Sequence, residues 1–192
     1  MALKKRNTIK QLMAFTLAEL LMTMAILGVV AALTIPSIKK YSQRETVGTE
    51  LKKAYTTLNG ALDYAISDDI YINPLTIGGD TFFTNYIRPK MKTIAKCNSG
   101  NMTECWLYGS DTPTNAVITQ DGITIGAKGF KYYVDINATK LPNRDGVDVF
   151  FYDLKKESTS STNTSDVSAG WAFVPTGHAE DVMLDGWRVT YW

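Results

Sequence analysis

A long apolar stretch near the N-terminus limits what this chain can fold into. Residues 12–35 are almost entirely apolar, and the exceptions are Thr16, Glu19, Thr23 and Thr34. Counted from residue 15 to residue 35, the stretch holds 21 residues, which as a helix would measure about 30 Å. Because that length matches the hydrocarbon core of a bilayer, the stretch predicts a membrane helix.

The residues before this stretch predict its orientation. Four basic residues precede it, Lys4, Lys5, Arg6 and Lys10, and no acidic residue occurs before Glu19. By the positive-inside rule this cluster stays in the cytoplasm, and the C-terminal part of the chain is exported. The whole chain has a net charge of +1, but without these four residues it has 16 basic against 19 acidic side chains, a net charge of −3. The balance therefore gives no indication of nucleic acid as a general partner.

Two common kinds of apolar N-terminal segment fit poorly. A secretory signal peptide has a shorter apolar region that ends in a small-residue cleavage site, whereas this stretch runs into Thr34-Ile35-Pro36. A plain signal anchor fits the length but gives no reason for Glu19. A carboxylate costs about 2.5–3.5 kcal/mol at the centre of a bilayer and less near its surface. An acidic residue in such a place is by default a functional residue that requires a partner.

Residues 14–21, with the sequence AFTLAELL, resemble the cleavage and methylation motif of type IV prepilins. The resemblance implies that a membrane peptidase cuts between Ala14 and Phe15 on the cytoplasmic side and that the new amino terminus is methylated. It makes Glu19 the fifth residue of the mature chain, where the family keeps a glutamate. Gly28 and Pro36 fall where pilin helices commonly carry a glycine and a proline. The family usually has glycine before the cut, where this chain has Ala14.

The resemblance also implies a cellular role. Proteins of this kind are structural subunits, pilins or pseudopilins, of a type IV pilus or a type II secretion-type filament. The implied partners are other pilins in a helical filament, a prepilin peptidase, a membrane platform protein and an assembly ATPase. The precursor would lie in the inner membrane with its C-terminal domain exported, and the filament would be periplasmic or on the cell surface. The new α-amine would pair with Glu19 of a neighbouring subunit and favour the correct register.

A second apolar pattern follows Pro36. Apolar side chains recur at spacings of four, three, four and four at Leu51, Tyr55, Leu58, Leu62 and Ile66. This pattern predicts an amphipathic helix over residues 37–68, continuous with the membrane segment and similar to the long N-terminal helix of pilins. Pro36 is expected to kink or open that helix locally, because it lacks a backbone donor.

The rest of the chain predicts a small antiparallel sheet. A short helix is expected from Asp80 to just before Pro89. Residues 116–119 and 123–125 flank Gln120-Asp121-Gly122, a hairpin signal. Further strands are expected over residues 132–136, 147–153, 171–174 and 187–192. The predicted fold class is α+β, with a leader at 1–14, the membrane half of the helix at 15–36, its amphipathic half at 37–68 and a pilin-like domain at 69–192.

The two cysteines, Cys97 and Cys105, are close in sequence. In an exported domain such a pair favours a disulfide, which would stabilise the fold by about 2–3 kcal/mol. Two free buried thiols are the alternative.

Oxygen-bearing side chains cluster in and on both sides of the loop between two of the predicted strands. They are Asp135, Asn137, Asn143, Asp145 and Asp148. Calcium takes six to eight oxygen ligands, so this segment is a candidate calcium site, although no cofactor is otherwise expected. The alternative is that these residues cap the turn through hydrogen bonds to the backbone. The segment also resembles a run seen in many pilin-like proteins.

Little in the composition predicts an enzyme. Two cysteines and a single histidine, His178, are too few soft ligands for a structural zinc site, and no nucleophile–base pair or carboxylate dyad stands out. We therefore expect a non-enzymatic subunit. An alternative is a filament-tip binding module on the same anchor, for DNA uptake or adhesion, which would bind its ligand through the β half.

Overall fold

The computed structural model describes residues 15–67, 80–109, 111–156 and 171–191. The chain divides into two compact units, Met1–Ser42 and Gln43–Trp192. The long first helix contributes residues to both units. The predicted leader at 1–14 and the serine- and threonine-rich residues 158–165 lie outside the described residues.

Helix α1 covers Leu17–Ser67, 51 residues, which confirms the prediction of one long N-terminal helix. Pro36 lies inside it and cannot donate a backbone hydrogen bond. Two nearby hydroxyl groups donate to other carbonyls of the helix: Thr34 Oγ1 donates to Val30 O at 2.9 Å and Ser37 Oγ to Thr34 O at 2.8 Å. The helix continues across the proline without interruption, and the expected kink stays a prediction.

The second unit contains one six-stranded sheet in which every strand pairs antiparallel with the next along the chain. Its strands are β1 Thr93–Asn98, β2 Asn115–Thr119, β3 Thr124–Lys128, β4 Lys131–Asp135, β5 Val149–Lys156 and β6 Trp171–Thr176. The predicted hairpin is confirmed, with Gly122 in the left-handed region at φ 81°. An α+β fold, with a long helix packed on an antiparallel sheet, is therefore observed.

The C-terminal part of α1 packs on one face of this sheet. Its buried positions are Val47, Gly48, Leu51, Ala54, Leu58, Ala61, Leu62 and Ala65. The predicted stripe is therefore largely right, with Tyr55 and Ile66 only partly buried at its margin. Two polar contacts join helix and sheet: Tyr152 Oη donates to Leu51 O at 3.4 Å, and Phe173 N donates to Asn59 Oδ1 at 3.3 Å.

The opposite face of the sheet has a smaller core, because side chains alternate along a strand. On β4, Tyr132 and Val134 enter the main core, whereas Tyr133 between them enters the second. The buried members of this second core are Cys97, Met102, Cys105, Trp106, Ala116, Tyr133 and Val149.

The prediction of where the short helix after α1 ends is wrong. The helix that begins at Asp80 does not stop before Pro89. It runs as α2 Asp80–Phe82, a π turn Phe83–Ile87 and a 3-10 turn Arg88–Lys90 that contains the proline. Proline is accepted there because the first positions of a helical turn need no backbone donor.

The C-terminal segment is not the strand predicted over 187–192. Helix α3, His178–Leu184, follows β6, and the described residues after it are not in a strand. Gly186 and Trp187 both have positive φ, 69° and 66°, which turns the chain out of an extended path. Val189 then packs into the main core.

The sequence analysis also missed a strand. It predicted none over Thr93–Asn98, where the structure has β1.

Candidate functional site

The start of α1 is closed by a reciprocal pair of hydrogen bonds. Thr16 N donates to Glu19 Oε2 at 2.9 Å, and Glu19 N donates to Thr16 Oγ1 at 3.2 Å. The Thr16 hydroxyl adds a third bond to the same carboxylate oxygen at 2.9 Å. This is a capping box, which satisfies backbone donors that the first turn of a helix leaves free. Glu19 therefore has a partner within its own chain, which the sequence analysis missed.

The first unit exposes an apolar surface. From residue 15 to residue 43 no side chain is buried. The exposed fraction is 80% for Phe15 and 75% for Leu33. A helix with apolar side chains on all sides is found inside a membrane or a large core. On length and composition, α1 could span a membrane.

Three more residues were predicted to matter for the membrane half of α1: Gly28, Pro36 and Ala14. Gly28 and Pro36 are both inside α1, and a Cβ added at Gly28 would have no neighbour within 4 Å among the described residues. Ala14, on the other side of the predicted cut, lies outside the described residues.

The predicted disulfide is present. Cys97, on β1, and Cys105, just after a short 3-10 turn (Met102–Glu104), are bonded, with Cα atoms 6.1 Å apart. Both cysteines are buried, and Trp106 and Tyr133 pack in the same second core. The ring of Trp106 meets that of Tyr133 edge-on at 5.6 Å between centroids.

The oxygen-rich segment forms the connection between β4 and β5, and Asp148 organises it. Its Oδ2 accepts from Asn143 N at 2.7 Å and from Asn137 Nδ2 at 3.0 Å, and its Oδ1 accepts from Arg144 N at 2.6 Å. Asp148 is 2% exposed. These contacts are the turn-capping bonds that the sequence allowed as an alternative to calcium.

Asp135, at the end of β4, is fully buried beside this network. Its Oδ1 accepts from Asn137 N at 3.0 Å. Burial raises the pKa of Asp135 to about 7, against the hydrogen bond from Asn137, and the negative charge of Asp148 adds to the rise. Its second oxygen, Oδ2, is buried and has no hydrogen-bond partner among the described residues.

Asp145 has a different neighbour from the rest of the set. Its Oδ1 lies 3.4 Å from His178 Nδ1 at the start of α3, and both side chains are about 40% exposed. Tyr191 Oη donates to Gly146 O at 2.8 Å, and its ring lies 5.1 Å from that of His178. A Cβ on Gly146 would come within 2.6 Å of the histidine ring, so glycine permits this approach. The sequence had no signal for it.

Within the described ranges, no three or more His, Cys, Asp or Glu side chains lie close enough together to hold a metal ion. Any cation in the β4–β5 connection would therefore need amide or backbone oxygens as well as carboxylates. Comparison of the chain with family models, with curated proteins and with solved structures gives no match.

Proposed function

We propose that this chain is a structural subunit, a pilin or pseudopilin, of a type IV pilus or type II secretion-type filament. It is made as a prepilin and cleaved before Phe15. The observation that carries the proposal is the apolar first part of α1, whose side chains are exposed from residue 15 onward, combined with an acidic residue in its first turn. Such a surface must be covered by lipid or by other apolar helices.

The position of the capping box supports the proposed cleavage site. Thr16 would be the second residue of the mature chain, so a cut before Phe15 removes the leader and leaves the Thr16–Glu19 pair intact. The cap also supplies two hydrogen bonds to the Glu19 carboxylate, which lowers the cost of placing it at the edge of a bilayer. Within the described residues, the bonds that Glu19 accepts reach Oε2, and Oε1 would receive the α-amine of a neighbouring subunit.

The cellular setting follows from the same proposal. The precursor sits in the inner membrane with residues 69–192 exported, where oxidising conditions favour the Cys97–Cys105 disulfide. A prepilin peptidase processes it, and a platform protein with its ATPase moves it into a helical filament of pilins. The apolar part of α1 would lie at the centre of the filament.

The first test is the intact mass of the protein purified from membranes with and without a prepilin peptidase. We expect a product that begins at Phe15, carries one N-terminal methyl group and appears only in the strain with the peptidase. Ala14→Gly is the matched control and should be cleaved at least as well, whereas Ala14→Leu should block the cut. Retention of residues 1–14 in both strains would contradict the proposal.

A second test separates the cap from the charge. Glu19→Gln keeps a side-chain acceptor, because glutamine also closes a capping box, but removes the negative charge. We expect Glu19→Gln protein to be processed and folded but not to enter filaments, as measured by sheared-filament recovery beside wild type. Filament recovery at the wild-type level would show that the charge has no role in assembly.

A further inference from the structure

Three buried oxygens at the end of β4 and in the β4–β5 connection have no hydrogen-bond partner among the described residues. They are Asp135 Oδ2, Asn137 Oδ1 and Asn143 Oδ1. The side-chain amide of Asn143 makes no hydrogen bond to the described residues through either Oδ1 or Nδ2. A buried polar atom without a partner costs free energy, and native structures keep few of them. Three in one short connection therefore call for a ligand.

The residues that carry these oxygens belong to one hydrogen-bonded chain. Asn137 N donates to Asp135, and the Asn137 amide donates to Asp148. Asn143 is tied to the same Asp148 carboxylate through its backbone N–H. Because the Asn137 Nδ2 is held by Asp148, its Oδ1 is left as an acceptor. These bonds leave oxygens that can donate electron pairs to a ligand, and the groups that make the bonds are neutral amides.

Charge favours a cation as that ligand. Asp135 and Asp148 are 0% and 2% exposed. Both carboxylates take their hydrogen bonds from neutral amide groups. Two buried carboxylates without a cation among these partners are costly unless one is protonated or a positive ion binds.

We infer that the β4–β5 connection binds a hard divalent cation of the calcium type through Asp135 Oδ2, Asn137 Oδ1 and Asn143 Oδ1. Asp148 acts as the positioning residue that holds both asparagines. The donor set consists of oxygen only, which suits calcium and excludes the softer transition metals. Calcium also accepts irregular geometry and completes six to eight positions with water or backbone carbonyls, whereas magnesium demands a near-octahedral site.

The inference narrows the ligands expected from the sequence. Asp145 is left out of the proposed ligand set, because its Oδ1 lies 3.4 Å from His178 Nδ1 and its side chain is 41% exposed. The proposed cation site does not depend on the filament proposal, and its test needs no assembled filament. The competing explanation is that Asp135 holds a proton and the connection is only a capped turn.

The test uses the full-length protein in detergent, treated with chelator and then dialysed at neutral pH. Calcium chloride is titrated by calorimetry, and thermal unfolding is followed in parallel. We expect saturable binding with a dissociation constant of about 10⁻⁴–10⁻³ M, as in other weak exported sites, and a matching rise in Tm. Magnesium chloride at the same concentrations should give a much smaller response.

Variants locate the site. Asp135→Asn should weaken calcium binding by at least about tenfold, whereas Asp145→Asn, the matched control in the same connection, should leave it within about twofold of wild type. Should Asp135→Asn fail to fold, Asn143→Gly replaces it: the Asn143 side chain makes no hydrogen bond to the described residues, and glycine accepts its φ of 48°. No saturable response of wild type up to about 10 mM calcium, or equal losses in Asp145→Asn and the ligand variant, would overturn the inference.

Discussion

The Glu19 carboxylate accepts hydrogen bonds from both the backbone N–H and the hydroxyl of Thr16, and Thr16 Oγ1 accepts one from Glu19 N. Two residues three positions apart thereby close the first turn of α1. Glu19 was expected to require a partner in a neighbouring subunit, and the structure gives it a partner within its own turn as well. The two roles use different properties of the side chain: the cap needs an acceptor atom, and assembly needs a negative charge.

The cap predicts a local effect of Thr16→Ala. Loss of an N-cap hydroxyl costs about 1 kcal/mol, so the amides at the start of α1 should exchange with solvent about fivefold faster. Hydrogen exchange of the full chain in detergent measures this directly. Thr16→Ser should exchange at the wild-type rate, and Thr23→Ala serves as control because the Thr23 hydroxyl donates to a carbonyl inside the helix. Unchanged exchange in Thr16→Ala would mean that the capping box does not hold the turn.

Two helical glycines predict opposite effects on stability. A Cβ on Gly48 would overlap the backbone carbonyl of Trp187, whereas a Cβ on Gly60 would meet nothing within 4 Å among the described residues. Gly48→Ala should therefore lower the free energy of unfolding by about 1–3 kcal/mol. Gly60→Ala should raise it by about 0.5–1 kcal/mol, since alanine favours helix more than glycine does. Denaturant unfolding of the two variants tests the pair, and a stabilised Gly48→Ala protein would contradict the close packing.

The disulfide predicts sensitivity to reduction. Cys97 and Cys105 close a loop with a sequence separation of 8. The bond lowers the entropy of the unfolded chain and thereby raises the free energy of unfolding by about 2–3 kcal/mol. The double variant Cys97→Ala/Cys105→Ala should lose about that much stability. Thermal unfolding of wild type with and without reductant is the parallel measurement. The double variant itself is the control for reductant and should not respond to it.

Asp111 predicts a loss of stability in acid. Burial raises its pKa, but the hydrogen bonds from Lys131, at 2.7 Å, and Lys128, at 3.3 Å, together hold the pKa of this carboxyl below its usual value. A carboxyl with a lowered pKa in the folded state stabilises the protein above the pKa of the unfolded state, and this stability is lost as pH falls through the folded pKa.

Asp111→Asn should therefore be less stable than wild type at neutral pH, by less than about 1 kcal/mol after solvent screening, and the difference should vanish in strong acid. Thermal unfolding of both proteins from neutral to acidic pH measures the gap. Asp63→Asn, at an exposed position of α1, is the matched control. A gap that widens in acid would show that the assigned ion pairs are absent.

Local patterns in the sequence were enough for the elements whose contacts are close along the chain. The apolar run and the spacing of Leu51, Leu58 and Leu62 predict one long helix, because helix periodicity depends on neighbours three and four residues apart. Asp121-Gly122 predicts the β2–β3 turn for a similar reason. The capping box could also have been predicted, since Thr16 and Glu19 have the three-residue spacing that it requires, but the sequence analysis did not include it.

Contacts between distant residues were decided only by the tertiary structure. Tyr191 bonds to Gly146 across 45 residues, and the segment expected as a strand folds into a turn that packs on Gly48. The sequence named the oxygen-bearing residues around the β4–β5 connection. Only the packing shows that Asp135 is buried, with one oxygen that has no hydrogen-bond partner in the part of the chain that the structure describes, and that Asp145 contacts His178 instead. The physical reason is that burial and the pairing of polar atoms depend on what the rest of the chain brings alongside, which no local pattern contains.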